Sequence, residues 1–370
     1  MESILVHAQA IVYTLLGLIP TAYQRDSLQA LLGLFLEAQG HLLPEHSAIK
    51  SAAALSRFLN YYDWSTRGVI RSVRQQIVQE LLRTRHRGRR PWLRVIVDLT
   101  TLEKCGKFKA FADLILVLQG KRGLHLVVLY LVVGSFRVLW GFRVWRGKGA
   151  PSAAQLAVRL IDTLPSTLVQ AYRVVVLADT AFGSVEFLKA MRKRRYPVIA
   201  GVRCDRKLSD GRSVCNLVTK GQQVRLEGLD FPVTISWLYL KREGQWEKRF
   251  VLSTRPLKAS TILWWGRKRW SIEGFFKTAK HRFGLHRFGQ QTLKGVYRWF
   301  VLCLVTFVLA HWVYLSAGSS TLPDWGASAT LAMKLLLPEV VICLLLVYLE
   351  QARPLFQSLG LDLQLVEVKT

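Results

Sequence analysis

The spacing of apolar residues divides the chain into regions of different predicted structure. Up to about residue 90, apolar residues recur at a helical period of about 3.6, most clearly over 4–18. From Pro91 the apolar runs become short and continuous, which is typical of buried strands. Strands are predicted at 93–98, 124–133 and 136–145. We therefore expect a helical N-terminal domain over 1–90 and a sheet after it.

The region after Pro91 has the element order of an α/β domain. Gly134 and Ser135 separate two long strand-like runs and predict a hairpin. A helix over 152–164, a strand that ends at Asp179 and a helix over 184–195 follow. This order predicts an α/β fold with a mixed sheet and flanking helices.

A second β-rich block lies within this domain. Short strand-like runs separated by turn residues fill 197–258, and helical patterns return over 259–350. We therefore predict an α/β domain made of 91–196 and 259–350. The block 197–258 is predicted to be an insertion, and 351–370 is predicted to be a C-terminal tail.

The chain is strongly basic. It has 52 Lys and Arg against 24 Asp and Glu, a formal net charge of +28 and a pI of about 10.4. This excess repels itself in the folded state, and a polyanion relieves the repulsion, so nucleic acid is the favoured partner. The five cysteines form no CxxC pair and no zinc-type spacing. That pattern indicates reduced thiols in a cytoplasmic protein.

Two short predicted helices in the N-terminal region, 51–60 and 69–82, are joined by a polar turn and resemble a helix-turn-helix. In that arrangement Arg57 and Arg71 would face DNA phosphates. An ordinary helical bundle with solvated arginines is the alternative. The run 83–90 contains five arginines, and we interpret it as a linker that also grips a backbone, or as a solvated tether.

Two stretches near the C-terminus, 299–315 and 340–349, are very apolar. The first has 17 residues, the lower limit for a membrane span, and the second is too short to span. We interpret both as buried helices that pack on the sheet. A basic membrane protein is the alternative.

Three acidic residues stand out against the basic background. Asp98 ends one apolar run, Asp179 ends a second, and Glu273 lies in a helical pattern that is predicted to run over 260–283 and to stop at Gly284. Carboxylates at the ends of two buried strands and on a later helix can converge. Because close carboxylates repel one another, two divalent ions would relieve the repulsion, and oxygen ligands favour Mg²⁺ or Mn²⁺. Two such ions about 4 Å apart activate a water or a 3′-hydroxyl for phosphoryl transfer.

Glu273 has basic neighbours in the sequence. It is the only acid between 261 and 298, a segment with nine Lys or Arg. Arg269, Glu273 and Lys280 share one face of the predicted helix. With Lys277, these basic residues would hold a DNA backbone beside the scissile phosphate. A surface ion pair is the alternative role for Glu273.

The chain resembles the DDE transposases with an RNase H-like core, and in particular the insertion-sequence-four group with the signature Tyr-x2-Arg-x3-Glu-x6-Lys. The tyrosine position of that signature falls on Gly266, next to Trp264 and Trp265. The residues that carry the resemblance are Asp98, Asp179, Arg269, Glu273 and Lys280.

The resemblance implies a bacterial transposase that uses two Mg²⁺ or Mn²⁺ ions and binds inverted-repeat ends and target DNA, as a homodimer on the DNA. In this group the ends are nicked, closed into hairpins, reopened and joined to the target by one active site. Hairpin formation calls for a flipped base stacked on an aromatic ring. Trp237 and Trp265 are the expected stacking residues, although such tryptophans are more often core residues.

Two further interpretations stay open at this stage. A DNA-binding relic without chemistry gains weight from Gly266, whereas the three intact acids favour an active enzyme. A structure-specific nuclease with the same core would cut DNA strands without joining them.

Overall fold

The computed structural model describes residues 2–37, 47–84, 88, 90–104, 108–147, 150–242, 244–318, 324–362 and 364. Half of the predicted basic linker (85–87 and 89), Cys105 and the end of the predicted tail lie outside these residues. The chain divides into two compact units, one of Met1–Gln76 with Thr278–Thr370 and one of Ile77–Lys277.

The described elements follow in chain order. The helices are α1 (Glu2–Gly17), α2 (Ala22–Glu37), α3 (Ala52–Asn60), α4 (Thr66–Arg83), α5 (Ala153–Ile161), α6 (Ser166–Ala171), α7 (Val185–Lys193), α8 (Ala259–Arg269), α9 (Ser271–His281), α10 (Leu293–Ser316), α11 (Trp325–Leu336) and α12 (Pro338–Ser358). The strands are β1 (Trp92–Glu103), β2 (Leu116–Leu118), β3 (Lys121–Val133), β4 (Phe136–Trp145), β5 (Arg173–Ala178), β6 (Val198–Val202), β7 (Gln222–Val224), β8 (Val233–Arg242) and β9 (Gln245–Ser253).

The first unit is built around α10. This helix is apolar on all sides, so it needs cover on all sides, and α1, α2, α3 and α11 pack against it. Trp299 lies on Phe35 of α2 with ring centroids 4.6 Å apart, and Phe307 stacks on Trp325 of α11 at 4.9 Å. The predicted burial of this stretch is confirmed, but the partners that cover it in this unit are helices from both ends of the chain.

By length and composition, α10 could cross a membrane, and the bent pair α11–α12 would be a second candidate if it formed one span. However, 78% of the most apolar window of α10 is buried inside the protein. This burial is what the core helix of a folded domain requires.

The prediction of a second buried apolar helix is wrong. In α12 the buried residue is Val340, which packs against Gly33 of α2, whereas Ile342, Leu345 and Tyr348 are exposed. An apolar period identifies a helix, but it does not state whether another element covers the apolar face.

Arg298 of α10 fixes the turn between α3 and α4. Its side chain is fully buried and lies 4.0 Å over the Trp64 ring. Burial lowers the pKa of Arg298 to about 10. The guanidinium donates hydrogen bonds to the carbonyl oxygens of Phe58, Leu59, Tyr62 and Trp64 and to Oγ1 of Thr66. The Phe58 carbonyl also accepts from Trp64 Nε1 at 3.0 Å. Because Arg298 supplies donors to several buried carbonyls of this turn at once, one cation sets the geometry of the predicted helix-turn-helix pair.

The second unit holds a nine-stranded mixed sheet, with the strand order β2-β3-β1-β5-β6-β9-β8-β7 and β4 paired to β3, within the residues described. The neighbours β1, β5 and β6 are parallel, and the other pairs are antiparallel. The predicted hairpin is confirmed: β3 and β4 pair around Gly134, which has a positive φ of 55°. This is the predicted α/β fold with a mixed sheet and flanking helices.

The boundaries of the two compact units do not coincide with the domain boundaries predicted at 90, 197 and 259. In particular, the predicted insertion 197–258 is continuous with the central sheet, because β6 pairs in parallel with β5 and β9 pairs with β6. Short strands have the same local pattern whether they extend a sheet or form a separate one.

The long helix predicted over 260–283 is two helices. α8 ends at Arg269 and α9 begins at Ser271. At the break, the Ser271 hydroxyl donates to the Lys268 carbonyl at 3.0 Å, a local bond that competes with the helical pattern. The predicted stop at Gly284 agrees with its positive φ of 65°.

We expect Arg298→Met to lower the free energy of unfolding by about 3 kcal/mol or more, because several buried carbonyls lose their donor. Arg298→Lys, which keeps the charge but not the planar set of five donors, should fall between Met and wild type. Urea unfolding measures both. If both variants stay within about 0.5 kcal/mol of wild type, Arg298 does not clamp the turn.

Candidate active site

Asp98 and Asp179 lie side by side on neighbouring strands. The parallel ladder of β1 and β5 ends with the pair Val97↔Ala178, so Asp98 and Asp179 are the residues that directly follow this last pair. Asp98 was predicted to end its strand, and this is wrong. β1 continues to Glu103, because antiparallel β3 extends the ladder past Asp98. Asp98 is 8% exposed, and its Oδ1 accepts the Leu99 backbone N–H at 2.8 Å.

Two glycines set the turn that carries Asp179. Residues Thr180–Phe182 form a single 3-10 turn directly after Asp179. A Cβ on Gly201 of β6 would collide with the Thr180 hydroxyl and lie 2.9 Å from the Thr180 nitrogen, and a Cβ on Gly183 would lie 2.6 Å from the Gly201 carbonyl. The turn packs against β6 only because both residues are glycine. Sequence reasoning missed both positions, since the contact depends on strand pairing.

Arg269 joins the helix acid to the strand acid. It is the last residue of α8, and its Nη1 donates to Asp98 Oδ2 at 2.7 Å while its Nη2 donates to Glu273 Oε1 at 2.9 Å. Glu273 lies in the first turn of α9, and its side chain is 58% exposed. The predicted face shared by Arg269 and Glu273 is therefore present despite the helix break.

Asp98 feels the charges of the other two acids. The pKa of Asp98 is raised to about 7: burial raises it most, the Arg269 charge offsets part of this, and the charges of Asp179 and Glu273 add to the rise. Both carboxylates therefore lie close enough to Asp98 to repel its charge. Asp98 is the central group of the cluster.

In this structure an arginine side chain bridges two of the three acids. Among the described residues, no three His, Cys, Asp or Glu side chains are arranged closely enough to hold a metal ion. The donor set itself fits a hard divalent cation, because it consists of carboxylate oxygens whose mutual repulsion is already felt at Asp98. The Arg269 guanidinium supplies the positive charge between Asp98 and Glu273 instead.

The predicted DNA-contact residues are distributed over both units. Lys277 is exposed on α9, and Lys280 is half-buried near the end of the same helix, in the part that belongs to the first unit. Arg57 on α3 and Arg71 on α4 are exposed in the first unit, as phosphate contacts require.

The two tryptophans predicted to stack on DNA are both buried. Trp265 packs edge-on against Trp92, with ring centroids 5.2 Å apart. Trp237 lies against Phe250 and under the Lys248 ammonium, which is 4.1 Å from the ring centroid. Neither ring presents a free face, so both predictions are corrected here to core positions.

The tyrosine position of the signature also lies against the sheet. A Cβ on Gly266 would be 3.6 Å from the Val251 side chain of β9. The adjacent Trp264 is half exposed, with the Lys268 ammonium 5.2 Å from its ring centroid.

The mixed sheet and the helix pair thus place Asp98 and Asp179 at the end of one parallel ladder and join Asp98 to Glu273 through Arg269. Residues 93–309, more than half of the chain, match the family described as Transposase DDE domain. The chain belongs to this family: the protein is a DDE transposase, an enzyme of DNA transposition.

The fold agrees with this membership. The structure is similar to that of a piggyBac transposase synaptic complex with hairpin DNA, with a TM-score of 0.53 and 12% sequence identity over 92% of this chain and 79% of that chain. At this identity the likeness concerns the fold. A comparison with curated proteins gave no match.

We expect Asp98→Asn to change stability in a pH-dependent way. The folded-state pKa of about 7 lies above the ordinary value of 3.8, so Asp98 favours the folded state below pH 3.8 and this contribution is lost as pH rises through 7. Above pH 3.8 the wild-type carboxylate must take up a proton to be buried without charge, whereas the asparagine is neutral at every pH. Relative to wild type, the variant should therefore gain about 2 kcal/mol between about pH 5.5 and pH 8.

Urea unfolding of metal-free protein at the two pH values measures this difference. The exposed Asp205, which pairs with Arg203 at the surface, provides the control Asp205→Asn. An equal effect of Asp98→Asn at both pH values would contradict the raised pKa.

Proposed function

We propose that Asp98, Asp179 and Glu273 are the catalytic acids of a cut-and-paste transposase of the insertion-sequence-four group, with an RNase H-like core. The observation that carries this is the convergence on Asp98: Asp179 is its neighbour in register, and Arg269 binds Asp98 and Glu273 together. Strand cleavage and strand transfer on the ends of the element are the proposed reactions.

The proposed cofactor is a pair of Mg²⁺ or Mn²⁺ ions held by these three carboxylates. When bound, two divalent ions supply an activated water or 3′-hydroxyl and stabilise the leaving oxygen. The protein contributes the fixed positions of Asp98 in β1 and of Asp179 on its glycine-packed turn. Glu273 sits on the exposed side of the cluster, where a DNA strand can approach.

Arg269 has two proposed partners. In this structure its guanidinium binds two carboxylates, and the same planar donor set suits a phosphate. We infer that entry of the DNA backbone moves Arg269 from the acids to a phosphate, which leaves the acids free to act. Lys277 and Lys280, which follow Glu273 on α9, are proposed to contact neighbouring phosphates of the DNA backbone.

The proposed partners are the inverted-repeat ends of the element and its target DNA. The net charge of +28 supports binding to a polyanion. The α3–α4 pair, with Arg57 and Arg71 exposed, supports an N-terminal DNA-binding region. The similar fold in a transposase complex with hairpin DNA supports the proposal that this enzyme also passes through a hairpin intermediate. A homodimer on the DNA is proposed with it.

Cleavage and joining of labelled DNA that carries the element's own ends tests the proposal. We expect Asp98→Asn, Asp179→Asn and Glu273→Gln to keep DNA binding but to lower the rate of cleavage and joining about a thousandfold or more. Each substitution removes a negative charge that would hold the metal ions, and the loss corresponds to several kcal/mol of transition-state stabilisation. The exposed Asp205→Asn is the matched control and should cut and join like wild type.

Three outcomes would contradict the proposal. Retained cleavage in any of the three variants removes that acid from the site. Wild-type protein that binds the ends but never cuts with Mg²⁺ or Mn²⁺ is a DNA-binding relic. Wild-type protein that cuts but never joins strands is a nuclease.

A further inference from the structure

Two cysteines of the second unit lie side by side between β6 and β7. Cys204 is in the turn that follows β6, and Cys215 is in the single 3-10 turn Val214–Asn216. The backbone N–H of Cys215 donates to the Cys204 carbonyl oxygen at 2.9 Å. Both residues are exposed, and both thiols are free. The fold therefore brings together two accessible thiols that no CxxC spacing marks in the sequence.

The hydrogen bond limits the distance between the two cysteines. A carbonyl oxygen lies about 2.4 Å from the Cα atom of its own residue, and an amide nitrogen lies about 1.5 Å from its Cα atom. Since 2.9 Å separates the Cys204 oxygen from the Cys215 nitrogen, the two Cα atoms are at most about 6.8 Å apart. Protein disulfides have Cα–Cα distances of about 4.4–6.8 Å. The backbone is thus already within the range that a disulfide requires.

The segment between the two cysteines is a small hairpin with a fixed backbone. The Leu208 N–H donates to the Arg212 carbonyl at 2.8 Å, and the Val214 N–H donates to the Arg206 carbonyl at 2.9 Å. Leu208 and Val214 are buried, which anchors both arms to the rest of the unit. Because the arms are held by these contacts, the two thiols are kept near each other before any bond forms between them.

A pair of exposed thiols has two possible uses, a soft metal ion or a disulfide. A structural zinc ion takes four ligands, and within the described part of the chain no three His, Cys, Asp or Glu side chains are placed to share an ion. The two acids of the hairpin, Asp205 and Asp210, are bound by Arg203 and Arg212. Oxidation of the thiols is therefore the chemistry that this arrangement fits.

We propose that Cys204 and Cys215 form a reversible disulfide by exchange with a small-molecule disulfide. The thiolate of one cysteine attacks a sulfur of the small molecule, whose S–S bond breaks and releases one thiol. The second cysteine then attacks the protein sulfur of this mixed disulfide and releases the other thiol. Two protein thiols are oxidised, one small-molecule disulfide is reduced to two thiols, and the protons of the protein thiols pass to the released thiolates.

The disulfide would stabilise the second unit. It would close the chain between residues 204 and 215, and such a closure restricts the unfolded chain. Cys204 follows β6, and Gly201 of this strand supports the turn that carries Asp179. The cross-link would therefore fasten the end of β6 on the side of the acids. The inference does not depend on DNA and stands apart from the proposed function.

Peptide mapping of the oxidised protein tests the inference. The full chain carries Cys343→Ser, which removes an exposed thiol from α12 of the other unit. It is incubated with oxidised glutathione, the remaining thiols are blocked, and the peptides are identified by mass spectrometry. We expect one peptide pair joined through Cys204 and Cys215, with no glutathione on either residue, and both thiols restored by dithiothreitol. The oxidised form should unfold about 3 °C or more above the reduced form.

Cys204→Ser and Cys215→Ser, each made in the same background, are the matched variants. Each lacks the second thiol, so exchange should stop at the first step and leave one glutathione on the remaining cysteine of the pair. Neither variant should unfold at a higher temperature after this treatment, because no loop of the chain is closed.

Two results would overturn the inference. One is glutathione attached separately to Cys204 and Cys215, without a joined peptide pair. The other is a cross-link from either residue to a different cysteine or to a second molecule. Equal unfolding temperatures of the reduced and cross-linked forms would contradict the stabilising role of the disulfide.

Discussion

The buried carboxylate of Asp98 is the constraint on which the site depends. A charged group in the middle of a hydrophobic sheet is costly unless a cation compensates it. Here Arg269 is that cation, and it reaches Asp98 from the end of α8 while also binding Glu273 at the start of α9. The ion pairs therefore fix where the helix break lies relative to β1. The cation that compensates the charge of Asp98 therefore also holds Glu273 near it.

The rest of the second unit keeps Asp179 in place beside this group. The register of β1 against β5 makes the two aspartates neighbours. The turn after Asp179 packs closely against β6 through Gly183 and Gly201. Sheet pairing supplies rigidity for the strand acids, whereas Glu273 lies on an exposed helix start. This division suits a site that must be preorganised on one side and accessible to a long polymer on the other.

The sequence was sufficient to predict the α/β sheet and the hairpin at Gly134, because each depends on a local pattern. It was insufficient wherever the outcome depends on a partner distant in the chain. Residues 198–202 form an ordinary strand pattern, and only pairing with β5 shows that they extend the central sheet. Trp237 and Trp265 are aromatic residues near basic ones, and only packing shows that both rings are covered. The apolar face of α12 is likewise evident in the sequence, but its exposure is not.

We propose that Arg269 leaves the acids for a DNA phosphate when the acids bind metal. Diffraction from the enzyme bound to its element end with Mn²⁺, with the ions located by anomalous scattering, tests this proposal. We expect manganese coordinated directly by carboxylate oxygens of Asp98 and Asp179 and the Arg269 guanidinium on a DNA phosphate. Manganese bound at another place, or Arg269 still joined to Asp98 and Glu273 beside a bound ion, would contradict it.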